Sequence, residues 1–228
     1  MKTGAWRGFC CIYGMERVGA GKTGFFLPPV FADRLAVTFA EAKNEAVRKS
    51  LHFLVALSPA MALFSLPFAV ALLLAGVLAY TLMERLRFSG VKIPVVSTIT
   101  RMASREKDKG RFVLGPVTLG VGAALTLLLF PLPVATVGVF ALAFGDGFAS
   151  LAGRLFGRIR PAFLFGKSVE GSLACFTATA LSVYAFSQNP LAASVAALVA
   201  TAVEALPLED YDNVALPLAV GIAVQWIL

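Results

Sequence analysis

The sequence predicts an all-α fold: a polytopic transmembrane helical bundle of about seven helices, with the N-terminus in the cytoplasm. Three observations predict it. Hydrophobic residues fill 58% of the 228 positions and charged residues only 14%, where a soluble domain carries about 25% charged residues. Mean hydropathy is +0.82, which leaves more apolar surface than one aqueous core can hide. The charges are also segregated: all 20 Lys and Arg residues fall within positions 1–52, 84–111 and 151–168.

Long uncharged runs separate these basic segments, broken by turns at Ser65-Leu66-Pro67, Phe130-Pro131-Leu132-Pro133 and Gln188-Asn189-Pro190. Lys and Arg of short loops are retained on the cytoplasmic side, which puts the basic segments inside and the neutral turns outside. The acidic group Glu204 to Asp212 makes a fourth inner loop. The predicted helices run from Ala46 to Phe64, Leu66 to Leu82, Phe112 to Phe130, Val134 to Leu151, Ser168 to Phe186, Leu191 to Glu204 and Asn213 to Leu228. Each must be helical because hydrocarbon cannot satisfy open backbone groups. A net charge of +7 alone would suggest nucleic acid. Its distribution along the chain points to the bilayer instead, and no nucleic-acid partner is expected.

Residues 1–40 read as a separate cytoplasmic or interfacial segment and 41–228 as the membrane domain. The stretch Phe25 to Ala40 is apolar but interrupted by Pro28, Pro29, Asp33 and Arg34, and no small-residue cleavage site follows an apolar run. Cys10, Cys11 and Cys175 form no disulfide framework. Gly19-Ala20-Gly21-Lys22-Thr23 imitates the end of a phosphate-binding P-loop, but Glu16 stands where that motif needs glycine.

Chemistry is concentrated where charge meets membrane. Glu41, Glu45, Arg48 and His52 fall on one helical face, with Lys49 beside them, at the start of the first helix. This is either an ion-paired helix start with positive anchors or part of a site. Asp146 closes an apolar run, between Gly145 and Gly147. A carboxylate so placed costs about 2.5–3.5 kcal/mol on insertion scales and normally faces a polar cavity; the bland alternative is a bundle-stabilising pair with Arg154. Gly153, Gly157, Gly166, Lys167, Ser168, Glu170 and Gly171 surround Arg154, Arg158 and Arg160. The helix that begins near Ser168 turns its free N–H groups and positive dipole end to this loop, a plausible seat for a polyphosphate. Glu209, Asp210, Asp212 and Asn213 are either a solvated loop or oxygen ligands for a divalent cation.

Taken in order, these segments resemble a known family. The series is Glu-x-x-Arg-Lys-x-x-His (residues 45–52), Gly145-Asp146, then Ala149, Gly153 and Gly157, then Gly-Lys-Ser-x-Glu-Gly (166–171), and last Asp212-Asn213. It is similar to the dolichol kinase, phytol kinase and CTP-dependent diacylglycerol kinase family of integral membrane lipid kinases. Ser104-Arg105-Glu106-Lys107 with Gly110 resembles the polar loop those proteins carry between helices two and three. The resemblance implies phosphorylation of a membrane lipid alcohol (a polyprenol, a phytol-like alcohol or diacylglycerol), with CTP as donor and a divalent cation, Mg2+, as cofactor, at the cytoplasmic face of the cell inner membrane. By position it implies that Arg48, Lys49 and Lys167 bind phosphate. Ser168 and Gly171 would complete the nucleotide site, and Gly153 and Gly157 would allow close backbone contact with the nucleotide. Asp146 would be metal ligand or general base, with Asp212 a second metal ligand, and Glu170 another ligand or the group that orients Lys167. Glu45, His52, Arg105, Glu106 and Asn213 would support the site.

Two other readings are open. A phosphatidate cytidylyltransferase making CDP-diacylglycerol uses the same nucleotide. Its Lys-Asp, His-Gly-Gly and Asp-Arg-x-Asp signatures do not occur, and Glu209-Asp210-Tyr211-Asp212-Asn213 stands in place of the last. A small membrane transporter would carry polar residues on both faces, against the uncharged outer turns.

Overall fold

The computed structural model describes residues 48–89 and 112–228. The N-terminal 40 residues, Glu41, Glu45, Arg105 and Glu106 lie outside the described residues. Within them the chain is all helix and loop: α1 (residues 48–55), α2 (Ser58–Phe64), α3 (Leu66–Phe88), α4 (Gly115–Leu129), α5 (Leu132–Phe140), a π-helical turn (Ala141–Asp146), α6 (Gly147–Leu155), α7 (Val169–Ser187), α8 (Pro190–Glu204) and α9 (Asp212–Val224). Counting α1 with α2, and α5 with the π turn and α6, gives seven helical segments. Three of them, Leu66–Arg87, Leu132–Leu155 and Val169–Ser187, are long and apolar enough to cross a bilayer. α4, α8 and α9 are apolar but shorter.

The turns stop the helices for simple reasons. Ser65 is extended and its side chain accepts from Phe68 N, capping α3, while Pro67 sits in the first turn, where no N–H is needed. Asn189 does the same for α8, accepting from Leu191 N and Ala192 N ahead of Pro190. The first predicted helix is interrupted. Pro59 has no N–H to offer the Val55 carbonyl, and the chain tightens at residues 56–57, where Ala56 N bonds Phe53 O and Leu57 N bonds Leu54 O.

Burial sorts the helices into a centre and a ring. In Leu132–Leu155, 72% of the spanning window is buried, against 11% in α3 and 22% in α7. The uniformly apolar α5 and π turn thus form the axis of the bundle, and the outward faces of α3 and α7 are left for lipid. Leu142, Val137, Val139, Val183, Leu216 and Val220 fill the core. α8 contributes a stripe of alanines, Ala192, Ala193, Ala196, Ala197 and Ala200, all buried. Small residues at helix contacts let backbones approach where hydrocarbon gives no hydrophobic drive. α9 approaches α4 more closely still. Pro217 inside α9 deprives the Asn213 carbonyl of its helical donor, and that carbonyl rests on Gly122, where a Cβ would lie 2.1 Å from its oxygen.

The end of α3, the start of α4 and the loops that join α6 to α7 and α8 to α9 lie at one end of the bundle. A fully buried Glu84 near the end of α3 takes Arg87 Nε (2.9 Å) and Nη2 (2.6 Å) and accepts from Val113 N (3.3 Å). Asn213 donates to Thr118 Oγ1 (3.0 Å), Asp210 O (3.2 Å) and Gly115 O (3.3 Å). These two groups of bonds brace the end of the molecule where the charged residues gather.

Candidate active site

Asp146 is the last residue of the π turn and is buried. Its Oδ2 pairs with Nζ of Lys49, itself buried, and His52 Nδ1 lies 3.2 Å from the same oxygen. Lys49 and His52 stand three residues apart on α1 and so share a face. The charged start of the first helix therefore does not end in solvent: it inserts a lysine and a histidine against the carboxylate of the central helix. Asp146 takes Lys49 as its partner rather than Arg154. His52 Nδ1 has no hydrogen-bond partner.

This cluster borders a polar cavity of about 250 Å3 at the charged end of the bundle. Arg48 and Asp146 form one wall; Ser150, Gly153 and Arg154 of α6 form the next. Arg160, Gly166, Lys167, Ser168 and Gly171 come from the loop and the start of α7, and Glu204 and Asp212 close it from α8 and α9. Four cationic side chains thus face three carboxylates, with the Lys49 ammonium directly behind Asp146.

Lys167 reaches across to Glu204, with Nζ 2.9 Å from Oε1, and Ser172 Oγ donates to Glu204 Oε2 at 3.3 Å. Glu204 is buried and is therefore the group that orients Lys167, in place of the expected Glu170. Glu170 turns the other way: its carboxylate accepts from Arg158 N (3.0 Å) and Ile159 N (3.2 Å), holding the loop against the first turn of α7. Arg160 ties the same loop inward through Gly166 O (2.6 Å) and Gly153 O (3.0 Å). Ser168 caps α7, its Oγ accepting from Gly171 N at 3.1 Å.

The glycines serve the fold first. A Cβ on Gly157 would lie 2.1 Å from Gly153 O and 2.7 Å from Ser168 Oγ; one on Gly171 would lie 2.9 Å from Ala149 O. Their closest neighbours are atoms of this chain, so they allow α6, the loop and α7 to meet. Gly153 and Gly171 also line the cavity; Gly157 does not. Asn213 is engaged by Gly115, Thr118 and Asp210 and lies outside the cavity wall.

Of the residues expected from sequence, Arg48, Asp146, Gly153, Lys167, Ser168, Gly171 and Asp212 come together around this one cavity, with Lys49 and His52 against Asp146. Sequence reasoning named Arg154 and Arg160 only as part of the polyphosphate loop and Glu204 only as the start of the acidic inner loop, and it passed over Ser150. Glu204 carried a usable signal: like Asp146, it is a carboxylate at the end of an apolar run. Among the described residues no group of three or more His, Cys, Asp and Glu side chains is placed to hold a metal ion. Asp146 and Asp212 share the cavity as two separate carboxylates, a donor set that suits a cation already carried on phosphate oxygens.

Compared with known proteins, the chain is 28% identical over 159 residues to the probable phytol kinase 1, chloroplastic, of Oryza sativa subsp. japonica, covering 61% of this chain and 50% of that protein. It is 27% identical over 157 residues to phytol kinase 1, chloroplastic, of Arabidopsis thaliana, covering 61% and 52%. It is 30% identical over 122 residues to an uncharacterized protein of Methanocaldococcus jannaschii, covering 53% and 58%. The chain spans about half the length of the curated relatives it matches. No family model and no solved structure matches it. The likenesses are partial and amount to a distant family link with these proteins.

Proposed function

We propose that the protein is a lipid kinase that transfers the terminal phosphoryl group of a nucleoside triphosphate, CTP in preference to ATP, to the hydroxyl of a membrane lipid alcohol. The observation that carries this reading is the buried Lys49–Asp146–His52 cluster at the edge of a basic cavity, at one end of an apolar helical bundle. The distant likeness to phytol kinases and the ordered motifs support it. The choice of CTP rests on the family resemblance.

Phosphoryl transfer asks the protein for position and charge more than for covalent chemistry. Arg48, Arg154, Arg160 and Lys167 neutralise the phosphates, and the capped start of α7 adds the N–H groups and dipole of a helix N-terminus. Lys49 holds the Asp146 carboxylate in place, so that it can accept the hydrogen bond of the alcohol. As the alcohol oxygen bonds to the terminal phosphorus, the bond from phosphorus to the bridging oxygen breaks and the nucleoside diphosphate leaves. The proton of the hydroxyl passes to Asp146. A divalent cation, Mg2+, would be held by Asp212 together with the phosphate oxygens and would supply charge neutralisation, leaving Asp146 to take the proton. The three basic segments support a cytoplasmic position for this end of the bundle under the positive-inside rule, in a cell inner membrane.

The test is transfer of label from γ-labelled CTP and ATP to a panel of long-chain alcohols and diacylglycerol by purified protein. The reading expects labelled lipid, with CTP the better donor. Formation of CDP-diacylglycerol from phosphatidate, without transfer to any alcohol, would replace it with the cytidylyltransferase reading.

A further inference from the structure

The loop between α6 and α7 joins Leu132–Leu155 to Val169–Ser187, two segments long and apolar enough to cross a bilayer. Its residues therefore leave and re-enter the hydrocarbon at one end of the bundle. Four large apolar side chains are left uncovered there: Phe156, Ile159, Phe163 and Phe165 are between 60% and 73% exposed. Their exposure is not looseness, because the loop is tied by its own bonds. Glu170 accepts from Arg158 N and Ile159 N, Val169 N donates to Ile159 O at 3.0 Å, and Lys167 N donates to Leu164 O at 2.8 Å. Phe165 has a φ of 50°, a left-handed backbone uncommon for a bulky residue, and its ring is exposed, so the protein itself returns little for that conformation. Three arginines accompany these side chains. Arg154 and Arg160 line the polar cavity, and Arg158 does not. Among the described residues the exposed Arg158 guanidinium has no hydrogen bond or ion pair.

We infer that residues 156–165 dock on the membrane leaflet at their own end of the bundle and select anionic phospholipid there, with the Phe and Ile side chains at the boundary of headgroup and acyl chain and Arg158 on the lipid phosphate. The inference goes beyond the kinase reading and does not depend on it. In water four such side chains would make an unfavourable surface. At the interface an apolar set beside a cation is the combination that binds, and a guanidinium meets a phosphate through paired N–H bonds. Charge complementarity selects the lipid: between positions 151 and 171 the charged residues are Arg154, Arg158, Arg160, Lys167 and Glu170, four cations against one carboxylate. The backbone of the loop is already held in place, so docking costs little further ordering. The same loop gives Arg160, Gly166 and Lys167 to the cavity wall. A lipid phosphate on Arg158 thus steadies that wall from the membrane side.

Phe163 provides the test. It is 73% exposed, so Phe163→Trp places a fluorescent indole in the loop without disturbing the packing. The variant is made in the full chain with Trp6 and Trp226 replaced by Phe. It is reconstituted in nanodiscs of phosphatidylcholine and phosphatidylglycerol in equal amounts, with bromine on the acyl chains of one lipid or of the other. The indole at position 163 is expected to be quenched by both, with an apparent local preference of about fivefold for phosphatidylglycerol. Arg158→Gln is expected to bring the two lipids to parity, and Arg158→Lys to keep most of the preference. Equal quenching by both lipids with Arg158 in place, or a preference that Arg158→Gln leaves unchanged, would overturn the selection of anionic lipid. An indole reached by aqueous acrylamide and by neither brominated lipid would overturn the docking itself. So would one shielded from all three while single cysteines at position 163 cross-link two copies of the chain. None of these readouts uses phosphoryl transfer, so each outcome decides the docking separately from the kinase reading.

Discussion

Asp146 and Lys49 are each affordable inside the bundle only because of the other. A buried ion pair gives little net stability, but removing one partner strands a charge and costs about 3–5 kcal/mol. Asp146→Leu and Lys49→Met are therefore each expected to lower thermal stability in detergent, while the double variant recovers much of the loss and stays inactive. Additive losses in the double variant would show that the pair does not act as a unit. At this scale the sequence was informative about residue type and poor about partners. Asp146 stood out as a carboxylate at the end of an apolar run; Glu204 stands at the end of another but was read only as the start of the acidic loop. Whether Asp146 would meet Arg154 or Lys49 depended on a contact 97 positions apart in the chain, and no local pattern encodes that. Glu170 misled for a similar reason. Its place in the first turn of α7 is favoured by the helix dipole alone, and its carboxylate is satisfied by the backbone of the loop.

The elements were the most legible level. Each predicted span recurs with shifts of a few residues, because Pro and capping residues mark the neutral turns. The break at residues 56–57 follows from Pro59, which the uninterrupted first helix had overlooked. The π turn Ala141–Asp146 had no such sign, since its extra residue is hidden in a run of apolar and small side chains. Such turns are frequent at functional sites, and this one ends on the residue that matters most. The meeting of α6, the loop and α7 is also an element-scale device. Gly157→Ala drives a methyl group into Gly153 O and Ser168 Oγ. The expected outcome is a loss of about 1–3 kcal/mol, seen as a lower midpoint of thermal unfolding. Ser168→Ala removes only the cap of α7 and is expected to cost about 1 kcal/mol. A Gly157→Ala midpoint equal to wild type would mean that the loop is free to move away from α6.

For the whole molecule, charge segregation along the chain becomes an end-to-end asymmetry. Every cavity-lining charge sits at the end that carries the long loops, and the turns at Ser65, Phe130 and Gln188 sit at the other. Single cysteines at Arg158 and Asn189, in a background lacking Cys10, Cys11 and Cys175, would be probed with an impermeant thiol reagent on intact cells. Labelling at position 189 and protection at 158 are expected; the reverse pattern would turn the bundle over and take the cavity away from cytoplasmic nucleotide. Fold class was legible from composition because a bilayer restricts the chain to helices. The joining of three separate motifs into one cavity was legible only through the resemblance, because that convergence is a property of packing.

The most direct measurement is transfer of label from γ-labelled CTP to a long-chain alcohol by the purified protein beside its Asp146→Asn variant. The account predicts labelled lipid from the wild type and a loss of about a hundredfold or more in the variant, with nucleotide binding largely kept. Equal transfer by both proteins would contradict the placement of the reaction at Asp146, and no transfer by the wild type from any nucleotide would contradict the kinase itself.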